Sequence, residues 1–375
     1  MARDGGAAPA SVGNRKAHPR ELDALVVLST TAPRFTTEKI LEVLDGTLRG
    51  AGLKYRVFET PTQGEARPIV IREVARALEA GCDRVIAVGG DGTVSMVAEG
   101  LARADDGASQ AALGIIPAGT ANILAGELGI PNSLEAAAAN IVETERTITL
   151  DVMAVGKRFI MTQVGIGPDA LMIRHTSRES QAKLGRLAYM ATFMKRAFRH
   201  TPRRFDLEID GSPLRARAWQ IIVANVGSLG APPFTWGPGI DPTDGTLDLC
   251  IWDARTTLDY ARIAWRVIVG RHRKDASTRY FRVKDSVVIK SDRPVLVQGD
   301  GEVIGKTPVT VRIASQALRV LVTREVEPTE ETAAPDEAAA FREDGLVPAA
   351  DGNLGESVTQ DVESMLAEHS RTWVL

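Results

Sequence analysis

Residues 87–93 read AVGGDGT, in which the strand-like run DRVIAV (83–88) ends, directly before VSMVAEGLARA (94–104). A buried strand, a glycine-rich turn and a helix in that order is what a phosphate site needs. Gly89, Gly90 and Gly92 clear side chains from the backbone N–H groups, and a helix starting near Thr93 turns its positive end toward the turn. Asp91 stands among them. A carboxylate there can hold Mg²⁺ or accept a hydroxyl proton; with neither it would only repel a phosphate. The plain alternative is a tight turn with no ligand, since glycine turns are common. A second strand, loop and helix follows in IIPAGTANILA at 115–125, with Gly119, Thr120 and Asn122 in the loop. Two such loops on neighbouring strands would form two sides of one cradle. Thr120 can donate a hydroxyl hydrogen bond and Asn122 can donate and accept, although either also suits a helix N-cap.

Outward from these loops the alternation continues. LDALVVLS (22–29), YRVFET (55–60), DRVIAVGG (83–90) and ALGIIP (112–117) are strand-like, while TTEKILEVLDGTLRG (36–50), IVIREVARALEAG (69–81), VSMVAEGLARA (94–104) and ANILAGELG (121–129) are helical. This predicts a right-handed parallel α/β sheet covered on both faces, binding its ligand beyond the carboxyl ends of the strands. After Thr147 the texture becomes β-branched runs with turn signals: TLDVMAV (149–155), RFIMTQVGIG (158–167), RFDLEID (204–210), LRARAWQIIVANV (214–226), YFRVKDSVVIKS (280–291), VLVQGDGE (295–302), VTVRIAS (309–315) and LRVLVTR (318–324). The expectation is a β-rich sandwich. Helical segments interrupt it at 184–200 and 257–272.

At 375 residues the chain is long enough for two domains, each with its own core. Cys82 and Cys250 are its only cysteines, so neither a disulfide framework nor a thiolate metal site can be built, and a reducing cytoplasmic location is expected. The first residues, MARDGGAAPASVGNRKAHPR, lack an apolar stretch, and no later window reaches the roughly 18 apolar residues of a membrane span. The net charge of −3 hides an asymmetry: residues 325–375 hold 13 acidic and 2 basic residues, leaving the rest of the chain at +8. A basic body suits nucleotide phosphates, an anionic membrane or nucleic acid, and the acidic stretch reads as mostly disordered. Nucleic acid ranks last, because no recognisable module interleaves aromatic with basic residues.

GGDGT followed by IPAGTAN resembles the diacylglycerol kinase catalytic domain family, which includes bacterial lipid kinases and the sphingosine and ceramide kinases. The resemblance runs from about Leu22 to Arg324 and takes in VGIGPDA (164–170, with Gly165, Gly167 and Asp169), LGRLAY (184–189), Asn225, IDPTDGTLDL (240–249) and GDGE (299–302). It implies an ATP-binding α/β domain of NAD-kinase/phosphofructokinase type at 21–147, a β-sandwich lipid-binding domain at 148–311, and a return of about 312–324 to the first domain. A flexible arm at 1–20 and the acidic tail at 325–375 flank them. Carried onto this chain, Gly89, Gly90, Asp91, Gly92, Thr93, Gly119, Thr120 and Asn122 would bind ATP, with Thr62 from TPTQGEA (60–66). Glu302, with Asp300 beside it, would act as base toward the lipid hydroxyl, alongside Asp91. Asp241, Asp244 and the Thr246 carbonyl would form a structural Mg²⁺ loop, although PTDG is also an ordinary turn. Where the family has Asn-Pro and Gly after its first strand, this chain has LSTTAPRFT (28–36), so Ser29, Thr30 and Thr31 would supply hydroxyl donors instead.

The implied activity is transfer of the γ-phosphate of ATP, with Mg²⁺, to the hydroxyl of diacylglycerol or a related lipid. The enzyme would meet an anionic membrane through basic residues bordering 184–204, a helix that could equally be core-packed. A homodimer is left open. The rival readings are an NAD kinase, which shares GGDGT, and a catalytically silent lipid- or nucleotide-binding protein.

Overall fold

The computed structural model describes residues 22–323, apart from 32–33, 62–64, 105–110, 169, 171–201, 232–233, 238, 254–258, 260–261 and 263–276. Thr62, Asp169, LGRLAY, the helical segment from 184, the amino-terminal arm and the acidic tail lie outside the described residues.

All five side chains of β1 (Ala24–Leu28, ALVVL) are buried, as a strand covered on both faces requires. The chain continues through α1 (Thr37–Leu44), β2 (Tyr55–Glu59), α2 (Ala66–Glu79), β3 (Arg84–Gly89), α3 (Asp91–Ala104), β4 (Ala112–Pro117), α4 (Ile123–Glu127) and α5 (Leu134–Glu143). The strands pair in parallel in the order β2-β1-β3-β4. One face packs on α2 and α3 through Val70, Val74, Val97 and Leu101, and the other on α1 and α5 through Ile40, Leu44, Leu134 and Ile141. Thr36 caps α1 and Ser133 caps α5, each side-chain oxygen accepting a first-turn backbone N–H. Pro68 falls in the first turn of α2, where its missing N–H costs nothing.

The rest is β-rich: β5 (Thr147–Val155), β6 (Arg158–Ile160), β7 (Gln163–Ile166), β8 (Arg203–Ile209), β9 (Ser212–Ala218), β10 (Gln220–Ala224), β11 (Ser228–Ala231), β12 (Phe234–Thr235), β13 (Leu247–Trp252), β14 (Thr278–Val283), β15 (Ser286–Ser291), β16 (Leu296–Gly299), β17 (Glu302–Lys306) and β18 (Val309–Leu321). An antiparallel sheet in the order β14-β13-β10-β7-β16-β17 faces a second layer built from β5, β18, β15, β8 and β9. Phe205, Leu207, Ile221, Val223, Leu249, Ile251 and Val287 fill the space between them. The second layer is not a separate sheet: β18 pairs with β15 and β5 and reaches β4 through Val320 and Leu113.

Three continuous apolar runs are each divided. The run 158–167 breaks at Met161 and Thr162 into β6 and β7, 214–226 breaks at Trp219 into β9 and β10, and 280–291 breaks at Lys284 and Asp285 into β14 and β15. In each case the two pieces join opposite layers of the sandwich. Both inner faces line one core, so both halves carry the same apolar texture. Conversely, 309–315 and 318–324 contribute to one strand, β18, whose register slips between Ala314 and Leu318.

Candidate active site

The first glycine turn sits where β3 ends and α3 begins. The helix starts at Asp91, inside the motif, rather than near Thr93. The Gly90 carbonyl accepts from Thr93 N–H at 2.9 Å and Val94 N–H at 3.1 Å. The second loop follows β4. Its Gly119 lies so close to Gly90 that a Cβ on Gly119 would collide with the Gly90 Cα and stand 2.8 Å from Asn122 Oδ1. Glycine is therefore required by backbone-to-backbone contact between the two loops, before any ligand is considered. Asn122, left-handed at φ 50°, pins its own loop: Oδ1 accepts from Gly119 N–H and Nδ2 donates to the Gly119 carbonyl, both at 3.0 Å. Asp91 closes the pair, with Oδ2 accepting from Asn122 N–H at 3.0 Å and Oδ1 from Ile123 N–H at 2.6 Å. Burial pushes the Asp91 carboxyl up; the Ile123 and Asn122 N–H groups oppose this, the Asp300 charge adds to it, and the net direction is upward.

Ser29, Thr30 and Thr31 stand at the carboxyl end of β1. Ser29 N–H donates to the Val88 carbonyl at 2.9 Å, Ser29 Oγ lies 3.3 Å from Thr31 Oγ1, and Thr30 Oγ1 reaches the Thr60 carbonyl at 3.5 Å. A Cβ on Gly89 would meet the Thr93 side chain and Ser29 Cβ, so the ends of the neighbouring strands β1 and β3 close on each other at this point. Thr120 is exposed on the second loop.

The GDGE turn comes to the same helix. Asp300, at φ 47°, accepts four hydrogen bonds: from Ser95 Oγ at 2.9 Å and Met161 N–H at 2.9 Å on Oδ2, and from Thr162 N–H at 2.8 Å and Thr162 Oγ1 at 2.7 Å on Oδ1. Glu302 lies between two guanidinium groups, with Oε1 2.9 Å from Arg67 Nη2 and Oε2 accepting from Arg158 Nη2 at 3.2 Å. Burial pushes the Glu302 carboxyl up, but Arg67 and then Arg158 together outweigh it and hold it below the ordinary range. Behind them Glu99 is fully buried. Its Oε2 accepts from Arg67 Nη1 at 2.8 Å and Arg158 Nε at 3.1 Å, and its Oε1 pairs with Arg103 at 2.6 Å. Arg103 also donates to the Lys157 carbonyl.

Asp91, Ser95, Glu99 and Arg103 are spaced by four along α3, so they share one side of it. That side joins the second glycine loop, the GDGE turn and the turn between β5 and β6. Sequence reasoning singled out Asp91, Asp300 and Glu302 but missed Ser95, Glu99, Arg67 and Arg158. The available signal was a polar stripe through a helix whose Val94, Val97, Ala98 and Leu101 are core residues.

Asp241, Asp244 and Thr246 lie in a separate loop. Asp241 Oδ1 accepts from Thr243 N–H and Oγ1, and Asp244 Oδ1 from Thr246 N–H and Oγ1, while Asp244 Oδ2 pairs with Arg282 at 3.0 Å. Each carboxylate closes its own turn, and among the described residues no group of three or more acidic, His or Cys side chains is placed to hold a metal. Nearby, Glu127 accepts from Gly227 and Ser228 N–H at 3.3 and 3.2 Å, tying α4 to β11. Among the described residues no helix is long and apolar enough to cross a membrane.

Two family models match in tandem: the diacylglycerol kinase catalytic domain over residues 23–155, and the YegS C-terminal NAD kinase beta sandwich-like domain over residues 162–322. An uncharacterised protein of Synechocystis sp. is 31% identical over 245 residues, covering 63% of this chain but only 54% of that relative. A diacylglycerol kinase of Bacillus subtilis is 26% identical over 285 residues, covering 76% of this chain and 91% of the relative. A solved diacylglycerol kinase structure from Bacillus anthracis superposes with a TM-score of 0.65 at 22% identity, covering 80% of this chain and 97% of that one, a likeness of fold. With both halves matched in order along the chain, the protein belongs to the diacylglycerol kinase catalytic domain family of lipid kinases.

Proposed function

We propose that the protein moves the γ-phosphate of Mg·ATP onto the hydroxyl of diacylglycerol or a related lipid at the surface of an anionic membrane. The observation that carries this reading is the convergence of both glycine loops and the GDGE turn on one side of α3. The loops would cradle the phosphates, with the start of α3 offering its positive end. Asp91 would face the metal-bound phosphates: each of its oxygens accepts one N–H and retains a further lone pair. The Mg²⁺ that arrives with the nucleotide supplies charge neutralisation between phosphate oxygens.

Glu302 would receive the proton of the lipid hydroxyl. A carboxylate held by two arginines is a weak base but one that stands ionised at neutral pH, ready to accept. That suffices in a loose transition state, where the attacking oxygen has formed little bond and positioning outweighs basicity. Asp300, bound by four donors, would fix the turn that presents Glu302 rather than exchange protons.

The test is incubation of the purified full chain with radiolabelled ATP, Mg²⁺ and a panel of lipids in mixed micelles. Label should enter a lipid carrying a free hydroxyl. Label in NAD, or in no lipid at all, would overturn the assignment.

A further inference from the structure

Side-chain exposure rises from 0% at Glu99 through 12% at Arg67 and 24% at Arg158 to 37% at Glu302. The four groups thus form a path from the core to the rim of the candidate site. A glutamate with no exposure sits at its inner end. Burying a carboxylate is costly unless several donors compensate, and here three arginines from three elements do so. Two of these three also reach Glu302, each with a separate nitrogen. Arg158 spans the two carboxylates in the better geometry: Nε donates to Glu99 and Nη2 to Glu302. Arg67 Nη2 approaches Glu302 as an ion pair and gives no well-aligned hydrogen bond there.

We propose that Glu99, Arg67 and Arg158 form a positioning unit for phosphoryl transfer, in which Glu99 anchors the two guanidinium groups and their outer nitrogens aim the Glu302 carboxylate. This rests on the reading of Glu302 as the group that receives the lipid hydroxyl proton. Glu99 is on the helix that begins in the first glycine turn, so the unit references Glu302 to the same rigid element that would hold the phosphates. The guanidinium plane matters as well as its charge, since a lysine ammonium is one point and cannot bridge two carboxylates in fixed geometry. The charged groups facing Glu302 are Arg67 of α2, Arg158 of β6 and, behind them, Glu99 and Arg103 of α3, with Asp300 in the adjoining turn.

Arg158→Met and Arg158→Lys in the full chain separate charge from position. Two readouts are needed: kcat and KM for Mg·ATP on diacylglycerol micelles, and titration of the Glu302 carboxyl carbon by NMR in protein labelled at glutamate, assigned with Glu302→Gln. In Arg158→Met the Glu302 titration should move up by about half a unit or more, because one compensating charge is gone. Its kcat should fall about 10-fold or more with KM for Mg·ATP within about two-fold. Arg158→Lys should restore the titration yet leave kcat low. Glu99→Gln should also lower kcat, but it leaves three guanidiniums against a neutral amide and is read only if its circular dichroism and urea midpoint match the wild type. Unchanged Glu302 titration in Arg158→Met, or wild-type kcat in Arg158→Lys, overturns the proposal. A wild-type protein that phosphorylates no lipid refutes the functional reading instead, and the titration then still decides whether the arginines control Glu302.

Discussion

Replacing Asp300 by Asn tests whether the GDGE turn is fastened to both halves of the molecule by one carboxylate. Asn tolerates the left-handed φ of 47° nearly as well as Asp, so backbone strain largely cancels. The hydrogen bonds do not cancel. Each Asp300 oxygen accepts one backbone N–H and one hydroxyl: Met161 N–H with Ser95 Oγ, and Thr162 N–H with Thr162 Oγ1. Whichever oxygen becomes the amide NH₂, the hydroxyl beside it can turn and accept, but the backbone N–H cannot. One N–H is therefore orphaned in either orientation. That orphan costs about 1–3 kcal/mol, and conversion of the remaining charge-assisted bonds to neutral ones adds about 1 kcal/mol, giving a loss of about 2–4 kcal/mol. In urea, with m near 3 kcal/mol/M, the midpoint should fall by about 1 M at unchanged slope. Ser95→Ala removes the hydroxyl that donates to Asp300 Oδ2 and accepts a long 3.4 Å bond from Arg67 Nη1; because Arg67 Nη1 keeps its 2.8 Å bond to Glu99, the loss should be about 1 kcal/mol. Equal midpoints for Asp300→Asn and Ser95→Ala would refute the orphaned-donor reasoning.

Other outcomes follow from the same geometry. Gly119→Ala should force the two glycine loops apart and weaken binding of an Mg·ATP analogue about 10-fold or more by calorimetry, whereas Gly126→Ala, with nothing within 4 Å of a new Cβ, should leave it unchanged. The native Glu302 carboxyl lies below its ordinary value of 4.5, so its contribution to stability is complete above that pH and is lost as pH falls through the lowered native value. The stability gap between wild type and Glu302→Gln, followed by urea midpoints, should therefore narrow on acidification below pH 4.5. Sedimentation with liposomes should increase with anionic lipid and decrease with salt, as the +8 charge of residues 1–324 predicts; binding indifferent to both would remove the membrane-surface reading.

The parallel sheet was legible because each of its strands is a short apolar run bounded by turn residues and followed by a helical period. The expected alternation had no place for α5, since it follows α4 with no strand between, although Ser133 as a cap and Leu134, Ala137, Ala138 and Ile141 on one face mark it. In the β-rich half, composition conveyed the sandwich but not which layer each run joins, because a chain crossing at Trp219 or Asp285 keeps the same alternation on both sides. At the site, the glycines and acids in GGDGT and GDGE stood out because they cluster in short turns at strand ends and match the family's motifs in order. The residues that unite them did not. Ser95 and Asp300 are separated by 205 positions and Arg158 and Glu302 by 144, and an arginine reads alike in sequence whether it faces solvent or a buried glutamate.

The ribbon formed by β5 and β18 limits how the enzyme can open. These strands pair from Thr147 opposite Leu321 to Ala154 opposite Arg312, running from the parallel sheet into the sandwich with one slip of register between Ala314 and Leu318. Swinging one half against the other would bend two hydrogen-bonded strands at once, unlike rotation about a single linker. The ladder is interrupted only opposite Asp151, whose fully buried carboxylate accepts from Ser315 Oγ, Gln316 N–H and Gly245 N–H at 2.9, 2.8 and 2.7 Å. The one natural flexure point is thus plugged by a bonded side chain. On the lipid kinase reading, the elements that meet at α3 would keep their spacing, and access of a substrate to the candidate site would fall to local loops rather than to a clamshell motion.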